Sequence, residues 1–222
     1  MNARNIFLNI GGAFVLNKQG FNLWADNYDN TVQISEENNE YPFAGYKQIL
    51  NVIFNEVMQK NCSNVLDIGF GTGVLTSKLY ENGHQIDGLD FSPKMITIAK
   101  AKMPEAHLIE WDISKGLPSE IIDNRYDSIL STYTLHHLTD EEKVSFIFKL
   151  LSLLKEEGQI FIGDISFQNR EKLNICRQEN LHHWDDDEFY FVFDELKCSL
   201  ANICNCNFYP ISHCGGVIII SK

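Results

Sequence analysis

The chain has 222 residues, 44% apolar and 22% charged, enough for one domain with a substantial core and short for two. Its formal net charge is −12, and no run rich in Lys and Arg offsets it. The mean field therefore repels nucleic acid and anionic membrane, and neither is expected as a partner.

Near the start, Arg4 precedes an apolar run over residues 6–16 that imitates a secretory signal. Asn9 and the pair Gly11-Gly12 interrupt it, and no small-x-small cleavage site follows. It reads as an extension that packs on the domain. No segment approaches the roughly 18 apolar residues of a membrane span. Residues 1–60 read as an N-terminal extension with lid helices, and 61–222 as the core, together one structural domain.

From residue 64 to about 167, strands alternate with helices. The expected strands are 65–68, 84–90, 106–111, 126–132 and 159–165, which argues for a right-handed parallel α/β sheet. Ser92 and Pro93 supply an N-cap and a first helical residue, and Pro104 closes that helix. Thr139-Asp140-Glu141-Glu142 is a capping box opening a helix to about Lys155, ahead of Gly158. Val144, Ile147, Phe148, Leu151 and Leu154 recur at helical spacing as its sheet-facing stripe. Residues 166–188 are polar, aromatic and acidic and read as an insertion. Its Asp185–Glu188 run suits a solvated cap ahead of a helix at 193–201. Residues 205–213 and 217–221 form a hairpin around Gly215-Gly216.

The six cysteines (Cys62, Cys176, Cys198, Cys204, Cys206, Cys214) offer no disulfide framework and point to a reducing, cytoplasmic setting. The last four follow C-x5-C-x-C-x7-C and lack a C-x2-C knuckle. Buried free thiols are expected there, and no metal.

The most informative stretch is Asp67-Ile68-Gly69-Phe70-Gly71-Thr72-Gly73, in which an apolar strand runs into alternate glycines just before a helix. Such a turn lets the backbone approach a ligand closely. A dinucleotide-binding turn would place its third glycine where this chain has Val74. An acid inside the turn repels phosphate and attracts a cation. Asp90 ends the second strand about twenty residues on, where open parallel sheets set a carboxylate beside a ribose. The third strand ends at Asp112, and the fourth leads into Tyr133-Thr134-Leu135-His136-His137-Leu138.

Together these landmarks resemble class I S-adenosylmethionine-dependent methyltransferases over roughly residues 21–217. The likeness is to the small-molecule branch, and to the methyltransferases of low-GC Gram-positive bacteria in particular. The resemblance implies a three-layer Rossmann-like α/β fold, with a seven-stranded, mostly parallel sheet whose last strand is antiparallel. It implies S-adenosyl-L-methionine as cofactor. Gly69, Gly71 and Gly73 would bear its methionyl and ribose portions. Asp67 would brace the loop or attract the ammonium, and Asp90 would accept from the ribose hydroxyls. Asp112 would accept from the adenine amino group beside Ile113, while Phe91 packs on the base or in the core. Trp24-Ala25-Asp26-Asn27-Tyr28-Asp29 resembles an element whose tyrosine, Tyr28, closes over the methionyl end. A backbone carbonyl at Ser131 or Thr132 would receive the ammonium.

His136 and His137 are candidate bases on an acceptor O–H or N–H. Alternatively His137 braces the loop while His136 lines the pocket. His182, His183 and Trp184 line the acceptor site or lie on the surface, and the Asp185–Glu188 run would favour cationic acceptors if it faced the pocket. The expected activity is in-line methyl transfer to a small molecule by a cytoplasmic monomer or homodimer, achieved mainly by alignment and water exclusion. The rivals are a cofactor-binding sensor or partner subunit without turnover, and a protein or tRNA methyltransferase. The latter lacks an N-P-P-Y motif here, where the chain reads Ser131-Thr132-Tyr133-Thr134.

Overall fold

Val65, Leu66 and Ile68 are fully buried, which sets β1 (Asn64–Ile68) in the middle of the sheet. A strand covered on both faces needs helices on both sides, so near-continuous apolar runs mark parallel sheets. In the computed structural model, which describes residues 39–222, β1 pairs in parallel with β2 (Gln85–Asp90) and β4 (Tyr126–Thr132). Outside these lie β3 (His107–Glu110) and β5 (Leu154–Phe167), also parallel. β8 (Gly215–Ser221) runs antiparallel to β5, and β7 (Asn205–Pro210) antiparallel to β8, giving the order β3-β2-β1-β4-β5-β8-β7. An eighth, two-residue strand, β6 (Phe191–Val192), pairs with β5 off that path. The expected α/β sheet is therefore present with one short strand added. Tyr28 and the element around it lie outside the described residues.

Alternation along the strands splits the core into two layers. Val65, Leu130, Phe161 and Val217 face one side with Ile49 and Ile53 of α1 (Tyr46–Val57) and Leu75 and Leu79 of α2 (Val74–Glu81). Leu66, Ile129, Ile160 and Ile218 face the other with Ile147 and Leu150 of α4 (Asp140–Leu153) and Leu196 of α6 (Phe193–Ser199). Between them in sequence, α3 (Pro93–Lys102) follows β2, and its Ser92 hydroxyl accepts from Met95 N–H at 3.2 Å as the cap expected there. No helix among the described residues is long and apolar enough to cross a membrane.

Four expectations need correction. β5 starts at Leu154, directly after α4, instead of at Gln159, because Leu154 pairs with Tyr126 and a register shift between Tyr126 and Ser128 absorbs the extra length. The buried stripe of α4 is Lys143, Phe146, Ile147, Leu150 and Leu151, leaving Phe148 41% exposed. That helix is apolar over a wide arc, and Lys143 selects the face: its ammonium bonds Asp140 at 2.8 Å and the Phe189 carbonyl, 4.6 Å from the Phe191 ring centroid. Residues 166–188 are not one surface insertion, since β5 runs on to Phe167 and α5 (Arg170–Glu179) buries Leu173 and Cys176. Finally, of the four late cysteines expected as buried thiols, Cys198 is exposed and Cys204 half-buried, whereas Cys206 and Cys214 are buried.

The rotated stripe can be measured. Phe146 is 3% exposed, so Phe146→Ala is expected to cost about 3–5 kcal/mol in denaturant unfolding, and Phe148→Ala less than about 1 kcal/mol. The reverse ranking would restore the stripe read from periodicity.

Candidate functional site

The sheet order reverses between β1 and β4, and in open α/β sheets ligands bind at the carboxyl ends of the strands at such a point. Here the loop after β1 is shaped by glycine. Gly69 has φ 75°, and an added Cβ would collide with the Thr134 side chain. The Thr134 hydroxyl lies 3.0 Å from the Thr132 carbonyl and 3.3 Å from that of Gly69, tying the loop after β4 to the loop after β1. Gly73, at φ 76°, caps α2 in the left-handed conformation that side chains resist. At Gly71 a Cβ would meet nothing within 4 Å, so this part of the loop is open to a ligand.

A crevice lies against this loop, lined by Asp67, Gly69, Gly71, Tyr46, Thr132 and Tyr133 among others. Asp67 is 1% exposed. Its Oδ2 accepts from the Thr76 hydroxyl, while its buried Oδ1 has no partner among the described residues. Burial pushes the Asp67 carboxyl up to about 7, against the Thr76 bond and with a further push from Asp90. Asp90, at the end of β2, accepts from Gly71 N–H at 2.9 Å and from Ser92 N–H at 2.8 Å. Burial raises it to about 6 despite these two donors.

Next to it, Trp111 N–H donates to the Asp90 carbonyl at 2.8 Å, which brings the end of β3 alongside. Asp112 caps a short 3-10 turn (Ile113–Lys115), accepting from Ser114 N–H at 3.0 Å and the Ser114 hydroxyl at 2.7 Å. Partial burial opposes its charge, but Ser114 and Lys115 hold it below the usual carboxylate range. Ile113 packs partly buried against the second core layer, and Phe91 is half-buried.

The structure thus gathers Asp67, Gly69, Gly71, Gly73 and Asp90, with Asp112 and Ile113 beyond them. The side chain of Ser131 is fully buried, and Thr132 and Tyr133 beside it line the crevice. Sequence reasoning missed Tyr46, Leu50 and Tyr133 as lining residues. Tyr133 holds φ 49°, unusual for a bulky residue, and its ring lies 5.3 Å from Phe43 and 5.2 Å from Tyr46.

The histidine pair sits among carboxylates. His136 is buried, with Nδ1 2.6 Å from Asp164 Oδ1 on β5 and Nε2 3.5 Å from Glu188 Oε1. Burial disfavours its charge, but Asp164 and Glu188 outweigh that and push it up to about 10. Both nitrogens of His136 thus face carboxylates. His137 is held down to about 4 by burial and by its neighbour His136, and Glu188, though buried, is held at about 2 by the two imidazoles. The acidic run is therefore solvated only in part: Asp186 pairs with Arg177 at 2.6 Å in solvent, while Glu188 turns inward. His182 and His183 are exposed, and Trp184 stacks on Tyr41 at 5.4 Å.

The family described as "Methyltransferase domain" matches residues 65–158. An uncharacterized methyltransferase of Geobacillus sp. (strain WCH70) is 38% identical over 185 residues, covering 79% of this chain and 83% of the relative. One from Alkaliphilus oremlandii (strain OhILAs) is 32% identical over 187 residues, covering 84% and 83%. Among solved structures, the DhpI-SAM-HEP complex aligns with TM-score 0.70 at 16% identity, covering 96% of this chain and 100% of that one. A S-adenosylmethionine-dependent methyltransferase from Clostridium acetobutylicum ATCC 824 aligns with TM-score 0.65 at 15% identity, covering 87% and 98%. At such identities these structures establish the fold.

Two outcomes follow from the site's electrostatics. Asp67 binds its proton more tightly folded than unfolded, so the stability it contributes is complete below about pH 3.8 and lost as pH rises through about 7. Thermal melts of the ligand-free protein should fall between pH 5 and pH 8, and Asp67→Asn should flatten that fall while Asp90 leaves a residue of it. An unchanged profile in the variant would refute the buried charge. His136→Ala, which strands the Asp164 carboxylate, should cost about 3–5 kcal/mol in chemical denaturation.

Proposed function

The chain belongs to the S-adenosylmethionine-dependent methyltransferases, and from that membership we propose that it methylates a small-molecule acceptor at the crevice beside its glycine loop. Asp67 carries this reading: it lines the crevice and keeps one buried carboxylate oxygen without a partner among the described residues. An unpaired buried acceptor is costly, and a nearby cation offsets the cost. The cofactor is a cation at its sulfonium and carries an ammonium, so the residues present fit it.

In this reading Gly69, Gly71 and Gly73 carry the methionyl and ribose portions along the loop backbone. Asp67 answers the ammonium, directly or through water. Asp90 accepts from the ribose hydroxyls with the lone pairs that Gly71 and Ser92 leave over. Asp112 accepts from the adenine amino group, flanked by Ile113 and Phe91. The backbone carbonyl of Ser131 or Thr132 receives the ammonium. When bound, S-adenosylmethionine supplies an electrophilic methyl group for in-line displacement. The chain's own contribution is alignment and dryness: Tyr46, Leu50 and Tyr133 wall the crevice with apolar surface. His136 serves as a positioning residue, since both its ring nitrogens are engaged.

The small-molecule acceptor is supported by the net charge of −12, which disfavours nucleic acid, and by the absence of an amino-acceptor motif after β4. Free thiols suit a cytosolic setting, with the protein acting as monomer or homodimer. Calorimetric titration should show S-adenosylmethionine binding and no binding of NAD. Asp90→Ala should weaken cofactor binding by at least about 100-fold, two charge-assisted hydrogen bonds being lost. Unchanged affinity would remove the ribose assignment. A turnover screen should place the labelled methyl group in the metabolite fraction, and labelling of tRNA or protein instead would overturn the acceptor class.

A further inference from the structure

Beyond the glycine loop, three side-chain atoms from segments distant in sequence converge. His136 Nε2 and His137 Nδ1 come from the 3-10 turn after β4 (Leu135–His137), and Glu188 Oε1 from the segment ahead of β6. The two nitrogens stand 3.5 Å and 3.8 Å from that oxygen, and all three atoms lie within 4.8 Å of one another. Around a tetrahedral ion with bonds near 2.0–2.1 Å, adjacent ligand atoms are about 3.3 Å apart. The two nitrogen–oxygen spacings need to close by only a few tenths of an ångström.

A second layer of structure supports the trio. Asp164, fully buried on β5, holds His136 Nδ1 at 2.6 Å, which leaves Nε2 as the nitrogen presented to Glu188. A carboxylate on the far nitrogen of an imidazole is the arrangement that orients metal-bound histidines. The second imidazole meets the same carboxylate: its ring lies 4.2 Å from the first, with Nδ1 beside the same Glu188 oxygen. No spacing motif announces the cluster, because Glu188 returns to the histidines only after α5 has been traversed.

We propose that His136, His137 and Glu188 form a three-ligand site for a divalent transition-metal cation of the Zn2+ class, oriented by Asp164. Two imidazoles and one carboxylate suit Zn2+ better than Mg2+ or Ca2+, which prefer all-oxygen shells. Three protein ligands leave a coordination position for water or for an acceptor atom. The metal assignment stands independently of the cofactor assignment; a role toward the acceptor rests on the methyl-transfer reading.

The test uses the full chain, stripped with a chelator and titrated with Co2+ and Zn2+ against a chromophoric competitor. The expected result is a single equivalent bound, with a Co2+ spectrum free of thiolate charge transfer despite the six cysteines. His137→Gln and Glu188→Gln should each weaken Zn2+ binding by at least about 10-fold, and Asp164→Asn by about 10–100-fold. Cofactor affinity should persist in the His137 and Glu188 variants, marking an intact fold. No stoichiometric binding by the unaltered protein, a thiolate band, or equal affinity in the variants would overturn the site.

Discussion

One carboxylate oxygen without a partner among the described residues, buried beneath a glycine loop, organises this site. A buried acceptor left unpaired costs on the order of 1–3 kcal/mol, more when charged. Asp67 is held in that condition by its position on a central strand, where the sheet covers both faces and only the loop end opens on the crevice. Thr76 satisfies one oxygen, and none of the described residues satisfies the other. The site is thus charged in a way that a cation relieves and a phosphate aggravates. This separates it from dinucleotide-binding turns of similar topology.

The remaining features follow from keeping that loop open and rigid. Gly69 leaves room for Thr134, which joins the β1 and β4 loops, and Gly69 N–H donates to the Leu89 carbonyl at 2.7 Å. Asp90 uses both oxygens to hold Gly71 and the start of α3. The acids on neighbouring strand ends therefore shape the loop as well as offering charge. On the other flank, the loop after β4 hands over to a polar cluster in which His136 is clamped between Asp164 and Glu188.

Much of this was legible in the chain itself, for physical reasons that differ by element. Caps at Ser92 and Thr139 are local hydrogen-bonding patterns, and both formed where the residues dictated. Asp90 at the end of β2, and Asp67 and Asp112 near the ends of β1 and β3, were readable because each acid interrupts or follows an apolar run. The face of α4 was not, since an apolar arc that wide lets tertiary partners choose, and Lys143 chose through Asp140, Phe189 and Phe191. Nor was the state of His136, which depends on Asp164 and on Glu188, two residues far along the chain that no periodicity connects to it. Tyr46 and Tyr133 reached the crevice through packing and a left-handed backbone step, neither of which has a sequence signature here.

The most direct test of the account is a carbon NMR titration of the Asp67 carboxyl, with and without S-adenosylmethionine. Without the ligand its midpoint should stand near 7, raised by burial. With the ligand bound, the neighbouring positive charge should draw it down toward the ordinary carboxylate range. A midpoint that is already ordinary in the free protein, or that ignores the ligand, would contradict the claim that a buried, unpaired carboxylate is what this crevice presents to its cofactor.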